Sequence, residues 1–161
     1  MDAVLDTKRR EFLSRGLRGA RNGAEATGAM TAAFAAFDLL GWLGRLPPRQ
    51  IIERLLPGSS EHTRRIATVI SHTGYGAFFG AGYAFLPGRR STTFGVIFGL
   101  AICAGNYEAL LPALKIRPPL HADDRREIAA MVLAHIVYGV TLQRRISQRE
   151  RSVDLHSDTD S

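Results

Sequence analysis

With a single cysteine, Cys103, the chain can build neither a disulfide framework nor a thiolate zinc site. It has no glycine-rich phosphate loop, no Ser-His-Asp order and no zinc-finger spacing, so no catalytic set is legible and a non-enzyme is the favoured reading, with the question left open. Its 161 residues make one domain, and 45% hydrophobic against 22% charged residues excludes a disordered chain. The most informative absence is that of charge over four long stretches. Ala26 to Gly44 contains only Asp38, Ile66 to Gly88 and Ile128 to Gln143 contain none, and Ser91 to Leu114 contains only Glu108. All 21 lysines and arginines behind the net charge of +6 lie outside these stretches.

A helix crosses a bilayer with roughly 20 mostly apolar residues, within about 17 to 25. The pattern therefore predicts an all-α integral membrane four-helix bundle, with helices over 22–44, 66–87, 91–114 and 126–146 and the lipid bilayer as partner. The competing soluble form is a basic helical bundle that binds nucleic acid. Its arginines would gather on one helix face, whereas here they spread over every connection, so no nucleic acid is expected. Glycine separates the two further, because each interior Gly costs a water-exposed helix about 1 kcal/mol relative to Ala, while between membrane helices it permits close approach. The pairs Gly19/Gly23, Gly76/Gly80 and Gly95/Gly99 carry the small-residue spacing, which points to helix packing and to a homo-oligomer formed through glycine faces.

Twelve basic residues fall on the side of the termini and nine on the other, which places both termini of this multi-pass chain in the cytoplasm. Residues 1–21 form a basic cytoplasmic N-terminal segment, 22–146 the transmembrane domain and 147–161 a disordered polar tail. In the first loop, Pro48 to Leu56 spaces Ile51, Ile52, Leu55 and Leu56 as one face of a short interfacial helix. The twin-arginine-like KRREFLS at Lys8 is set aside, since Glu25 interrupts the approach to the apolar stretch and three more apolar stretches follow.

The two halves share a pattern. Asp38 is followed by LLGWLGRLPP and Glu108 by ALLPALKIRPP, and each Pro-Pro is followed by a helix with a His-x-x-Tyr-Gly string, at His72-Tyr75-Gly76 and at His135-Tyr138-Gly139. This predicts two repeated helical hairpins related by a pseudo-twofold. Helical rise puts His72, His135, Asp38 and Glu108 about 9–10 Å below one face, with Tyr75 and Tyr138 about a turn deeper. Such a polar layer is structural, each group satisfying another, or it is linked to proton or solute movement. No cofactor is predicted; the alternative is a membrane-embedded divalent metal or haem on His72, His135, Asp38 and Glu108.

GAMT at Gly28 to Thr31, LPPR at Leu46 to Arg49, FGL at Phe98 to Leu100 and the two His-x-x-Tyr-Gly strings resemble the YagU-like group of small bacterial inner-membrane proteins, over roughly Gly16 to Arg144. The resemblance implies a four-helix protein of the bacterial inner membrane, largely uncharacterised in function, with a connection to envelope or acid stress. It implies no catalytic residues.

Overall fold

The structure, a computed structural model, describes residues 2–87 and 91–159, with side chains described over 4–87 and 91–148. Arg89 and Arg90, expected in the second connection, and Asp160 and Ser161 of the expected tail lie outside the described residues. Among the described residues the fold is all-helical, without a strand.

No proline occurs before Pro47, and α1 runs unbroken from Asp2 to Leu39. The segment 1–21, expected to stand apart, is therefore the first half of that helix. α1 ends before Gly44 because Gly41, at φ 68°, takes the left-handed turn that a residue without Cβ adopts freely. The Gly41 N–H donates to the Asp38 carbonyl and the Trp42 N–H to that of Phe37, a Schellman cap in which Trp42 stacks on Phe37 at 5.7 Å. α2 covers Pro47–Leu55, opened by two prolines whose fixed φ suits a first turn. It lies one residue earlier than expected.

α3, Glu61–Phe85, starts where the Ser60 hydroxyl accepts the Thr63 N–H at 3.1 Å, and α4, Thr92–Gly105, where Ser91 accepts that of Phe94 at 3.2 Å. α4 passes through a π turn at Asn106–Leu110 into a short α5, Leu111–Ala113. Pro112 explains the irregularity, since it cannot donate to the Glu108 carbonyl and its ring would press against it; one wide turn relieves both. A Schellman cap ends this rod too, with Lys115 at φ 53° in the glycine position and the Ile116 N–H reaching the Leu111 carbonyl.

After a 3₁₀ turn at Leu120–Ala122, α6 begins at Arg125, capped by the Asp124 carboxylate, which accepts the Arg126 and Glu127 N–H groups. It extends to Thr159, through the stretch expected to be disordered. Beyond Gly139 no Gly or Pro interrupts it.

α1 packs along α3 and α4 along α6, and α1 also lies against α6. Both pairings rest on glycine. Gly19 and Gly23 lie against Gly76 and Gly80, and Gly95 and Gly99 lie against Gly139 and the backbone of His135. These faces, expected to serve an oligomer, are thus occupied within the chain. α3 and α4 meet through rings, Phe94 and Phe98 against Tyr83 and Phe98 against Phe79. The Tyr83 hydroxyl donates to Gln143 Oε1 at 2.5 Å, tying α3 to α6.

At the α2 end, the nearly enclosed Arg117 guanidinium pairs with Asp123 at 3.0 Å and with Glu127, and donates to the Arg45 carbonyl at 3.1 Å. Glu127 also accepts the Gly44 N–H, so one ion cluster joins the first and third connections to α6.

Of the four spans expected, one helical stretch among the described residues, Thr92–Ala113, is by itself long and apolar enough to cross a membrane. α1 is diluted by Arg21, Glu25 and Asp38, and α3 and α6 by Ser, Thr, His, Gly and Gln.

Candidate functional site

Depth along a helix comes from its rise, but which way a side chain faces comes from its 100° of turn per residue, and here the expected polar layer divides. Asp38 and Glu108 are exposed. In the π turn Tyr107 takes the inward position, and Glu108, one residue on, turns away from the interior. Asp38 sits in the last turn of α1, past the buried Phe34. A carboxylate placed inside would have had to be desolvated against apolar walls. The layer of two acids and two imidazoles is therefore not formed. Among the described residues no three His, Cys, Asp or Glu side chains come together as metal ligands, so the four residues offered for a metal do not converge.

His72, Tyr75, His135 and Tyr138 do converge, on a cavity of about 450 Å³ between α3, α4 and α6. Its floor is Thr27, Met30 and Phe34 of α1, and its roof is Pro47, Pro48, Ile51 and Leu55 of α2. The far wall is Ile102, Tyr107, Leu110 and Leu111. Among the described residues no charged side chain lines it. The helix expected to lie flat on the membrane thus turns Ile51 and Leu55 over the cavity while Ile52 is buried.

Two of the tyrosine hydroxyls at this site are engaged, while that of Tyr107 is enclosed without a hydrogen-bond partner among the described residues. Tyr138, 3% exposed, donates to the Gly76 carbonyl at 2.7 Å, so the tyrosine of the second string closes on the glycine of the first. Tyr75 donates to Asn106 Oδ1 at 2.7 Å, bringing the π turn to α3. The imidazoles differ. His135, buried, bonds through Nδ1 to the Met131 carbonyl at 2.8 Å. A carbonyl can only accept, so Nδ1 carries the proton and Nε2 of the neutral ring keeps its lone pair. His72 Nε2 is enclosed and has no hydrogen-bond partner among the described residues.

Above the roof, Arg49 grips Glu61 with both terminal nitrogens, at 3.0 and 2.8 Å, and reaches Glu53 through Nε at 2.9 Å. Arg65 adds a third bond to Glu61 at 2.9 Å. Hydrogen bonds from Arg49 and then Arg65 hold the Glu61 carboxyl well below its usual range, at about 2, and Glu61 in turn raises Arg49. These pairs fasten α2 to the start of α3.

Residues 13–153 match a family described as one of unknown function, DUF6789. The chain belongs to the DUF6789 family. The DUF6789 match takes in every residue that lines the cavity, and nothing in it links the chain to the YagU-like group. No curated protein and no solved structure matches the chain.

Sequence reasoning missed Asn106, the Met30 and Phe34 floor and the α2 roof. Pro112 was the available signal for Asn106, since a proline late in a helix frees the carbonyls of the turn before it.

Proposed function

We propose that this DUF6789 member is a multi-pass membrane protein whose interior cavity receives a neutral, largely apolar small molecule from the bilayer. The observation that carries the proposal is the cavity itself: about 450 Å³, walled mainly by aliphatic and aromatic side chains, and lined by no charged side chain among the described residues. That volume lies in the usual range for ligand sites.

The distribution of polarity supports the membrane setting. Phe78 is 71% and Ile70 66% exposed, and Val69, Ile97 and Leu133 also face outward, while Asn22, Thr27, His135 and Gln143 are enclosed. In water such an outer surface would be a liability; in hydrocarbon it is the favourable one. α3 has no charge between Arg65 and Phe85, about 30 Å of rise. At the opposite end from α2, Arg15 donates to the Ala84 carbonyl, so charge returns there. Four crossing helices, α1, α3, α4 through α5, and α6, would leave both termini on one side.

A common origin of the hairpins is supported by two parallels. Gly76 and Gly139 each follow a tyrosine and each seat the preceding long helix, and the helices before the two Pro-Pro sequences end in the same cap. With Asp38 and Glu108 outside, a proton path would lack its carboxylates.

The test is carbonate washing of membranes from cells expressing the chain, then organic extraction and mass spectrometry of the detergent-purified protein. Retention in the membrane together with a neutral apolar compound at near one per chain is expected. Release by carbonate refutes the membrane setting, and a protein free of any such compound that also takes up none on titration refutes the ligand.

A further inference from the structure

The polar groups left unsatisfied in this cavity indicate the chemistry of its occupant, on the premise that the cavity is a ligand site. Tyr75 and Tyr138 have their hydroxyl protons committed to Asn106 and Gly76, and the enclosed Tyr107 hydroxyl, without a partner among the described residues, keeps its own. Nε2 of His135 is left as an acceptor by the bond from Nδ1 to Met131, and Nε2 of His72 is enclosed without a partner. Both residues line the same cavity, one from α6 and one from α3. A hydroxyl both donates and accepts, so a hydroxylated head can satisfy imidazole nitrogens that an all-hydrocarbon ligand would leave unpaired.

The walls around these nitrogens are rings: Phe34, Tyr75, Phe79, Tyr107 and Tyr138 all border the cavity, and the Phe34 ring stands 6.3 Å from that of His72. Flat aromatic surface pairs well with rings, edge on or offset. Among the described residues no charged side chain lines the cavity, which weighs against heads with fixed charge, including the carboxylates of haem, which would need cations beside them. Leu55 and Tyr75 line the cavity and are themselves 59% and 39% exposed, so the cavity opens beside them, next to the outward-facing apolar surface of α3. An apolar tail would leave there.

We propose that the cavity binds a neutral molecule of the phenol or quinol class carrying an apolar tail, its hydroxylated ring held between His72 and His135 and its tail passing Leu55 and Tyr75. Only binding is proposed.

The experiment uses the full chain in lipid nanodiscs, titrated calorimetrically with three probes that share a tail: decylphenol, decylbenzene and decanol. Decylphenol is expected to bind saturably and about ten- to a hundredfold more tightly than decylbenzene, the difference one buried hydrogen-bonded hydroxyl makes. It is also expected to bind more tightly than decanol, which lacks the ring. His135→Leu should reduce the phenol-to-benzene ratio toward one while decylbenzene still binds. Ser71→Trp, at an exposed lining position, should block all three without disturbing the core. Equal affinity for decylphenol and decylbenzene, or tighter binding of decanol, overturns the head assignment and leaves the apolar-ligand proposal standing. Absence of saturable binding by any probe overturns both. The wild-type ratios decide the matter even if His135→Leu fails to fold.

Discussion

A single added methyl group at Gly80 tests how the two long helices of the first hairpin are held. A Cβ there would stand 2.5 Å from the Gly19 carbonyl oxygen, 2.6 Å from Gly23 Cα and 2.8 Å from Gly23 N. Ordinary contact begins at 3.4 Å, and all three obstructing atoms are backbone, so no side-chain rotation relieves them. α1 and α3 must part by roughly 1 Å, loosening the dispersion contacts along their shared face. Overpacking typically costs about 1–3 kcal/mol, and a clash with rigid backbone belongs at the upper end of that range. Gly82, two residues on, is the control: it is exposed and a Cβ would meet nothing within 4 Å. There alanine removes the conformational cost of glycine and gains up to about 1 kcal/mol. Gly80→Ala and Gly82→Ala should therefore differ by roughly 3 kcal/mol, which for a chain of this size is about 6–12 °C in Tm. Thermal unfolding of both variants in one detergent, followed by circular dichroism at the helix bands, reads the difference. Equal Tm values, or a more stable Gly80→Ala, would refute the close glycine crossing.

Arg117→Met removes the cation that Asp123 and Glu127 share and leaves two partly enclosed carboxylates facing each other, so it should destabilise by about 3–5 kcal/mol in denaturant unfolding, with Arg117→Lys intermediate. Tyr138→Phe removes the second donor to the buried Gly76 carbonyl, which still accepts a helical N–H, and should cost about 0.5–1.5 kcal/mol while the helix content stays unchanged. Glu61 has a folded pKa depressed from 4.5 to about 2, so its pairing with Arg49 and Arg65 contributes fully above pH 4.5 and is lost as pH falls toward 2. Hydrogen exchange of the α2 amides should accelerate across that window in the wild type, and Glu61→Gln should remove the pH dependence by holding α2 loosely throughout; unchanged protection would mean that these pairs do not fasten the roof.

Much of the secondary structure was legible because its causes are local. Uncharged stretches separated by arginine-rich connections set the order of the helices, whereas the Ser60 cap, which starts α3 five residues before the expected 66, was not read. The boundaries that failed did so for local reasons with competing signals: Gly41 was read as part of an apolar run when it ends α1, and the charged stretch after Ile146 was read as tail when nothing in it breaks a helix. The glycine pairs were visible as spacing, yet whether they face a neighbour in the same chain or another copy depends on which helices lie side by side.

The site was legible in part. His72, Tyr75, His135 and Tyr138 were identified as a set from the repeated string, and rise along the helix placed the two histidines at one depth and the two tyrosines about a turn deeper. Asp38 and Glu108 shared the depth of the histidines but not their direction. By itself the sequence determined an all-helical chain with apolar stretches and a repeated imidazole-tyrosine-glycine string, because propensity, capping and charge act over a few residues. Only the tertiary structure decided that the acids face outward, that α2 roofs a cavity and that a π turn brings Asn106 to Tyr75, because azimuth and helix neighbours are set by packing between residues far apart in the chain.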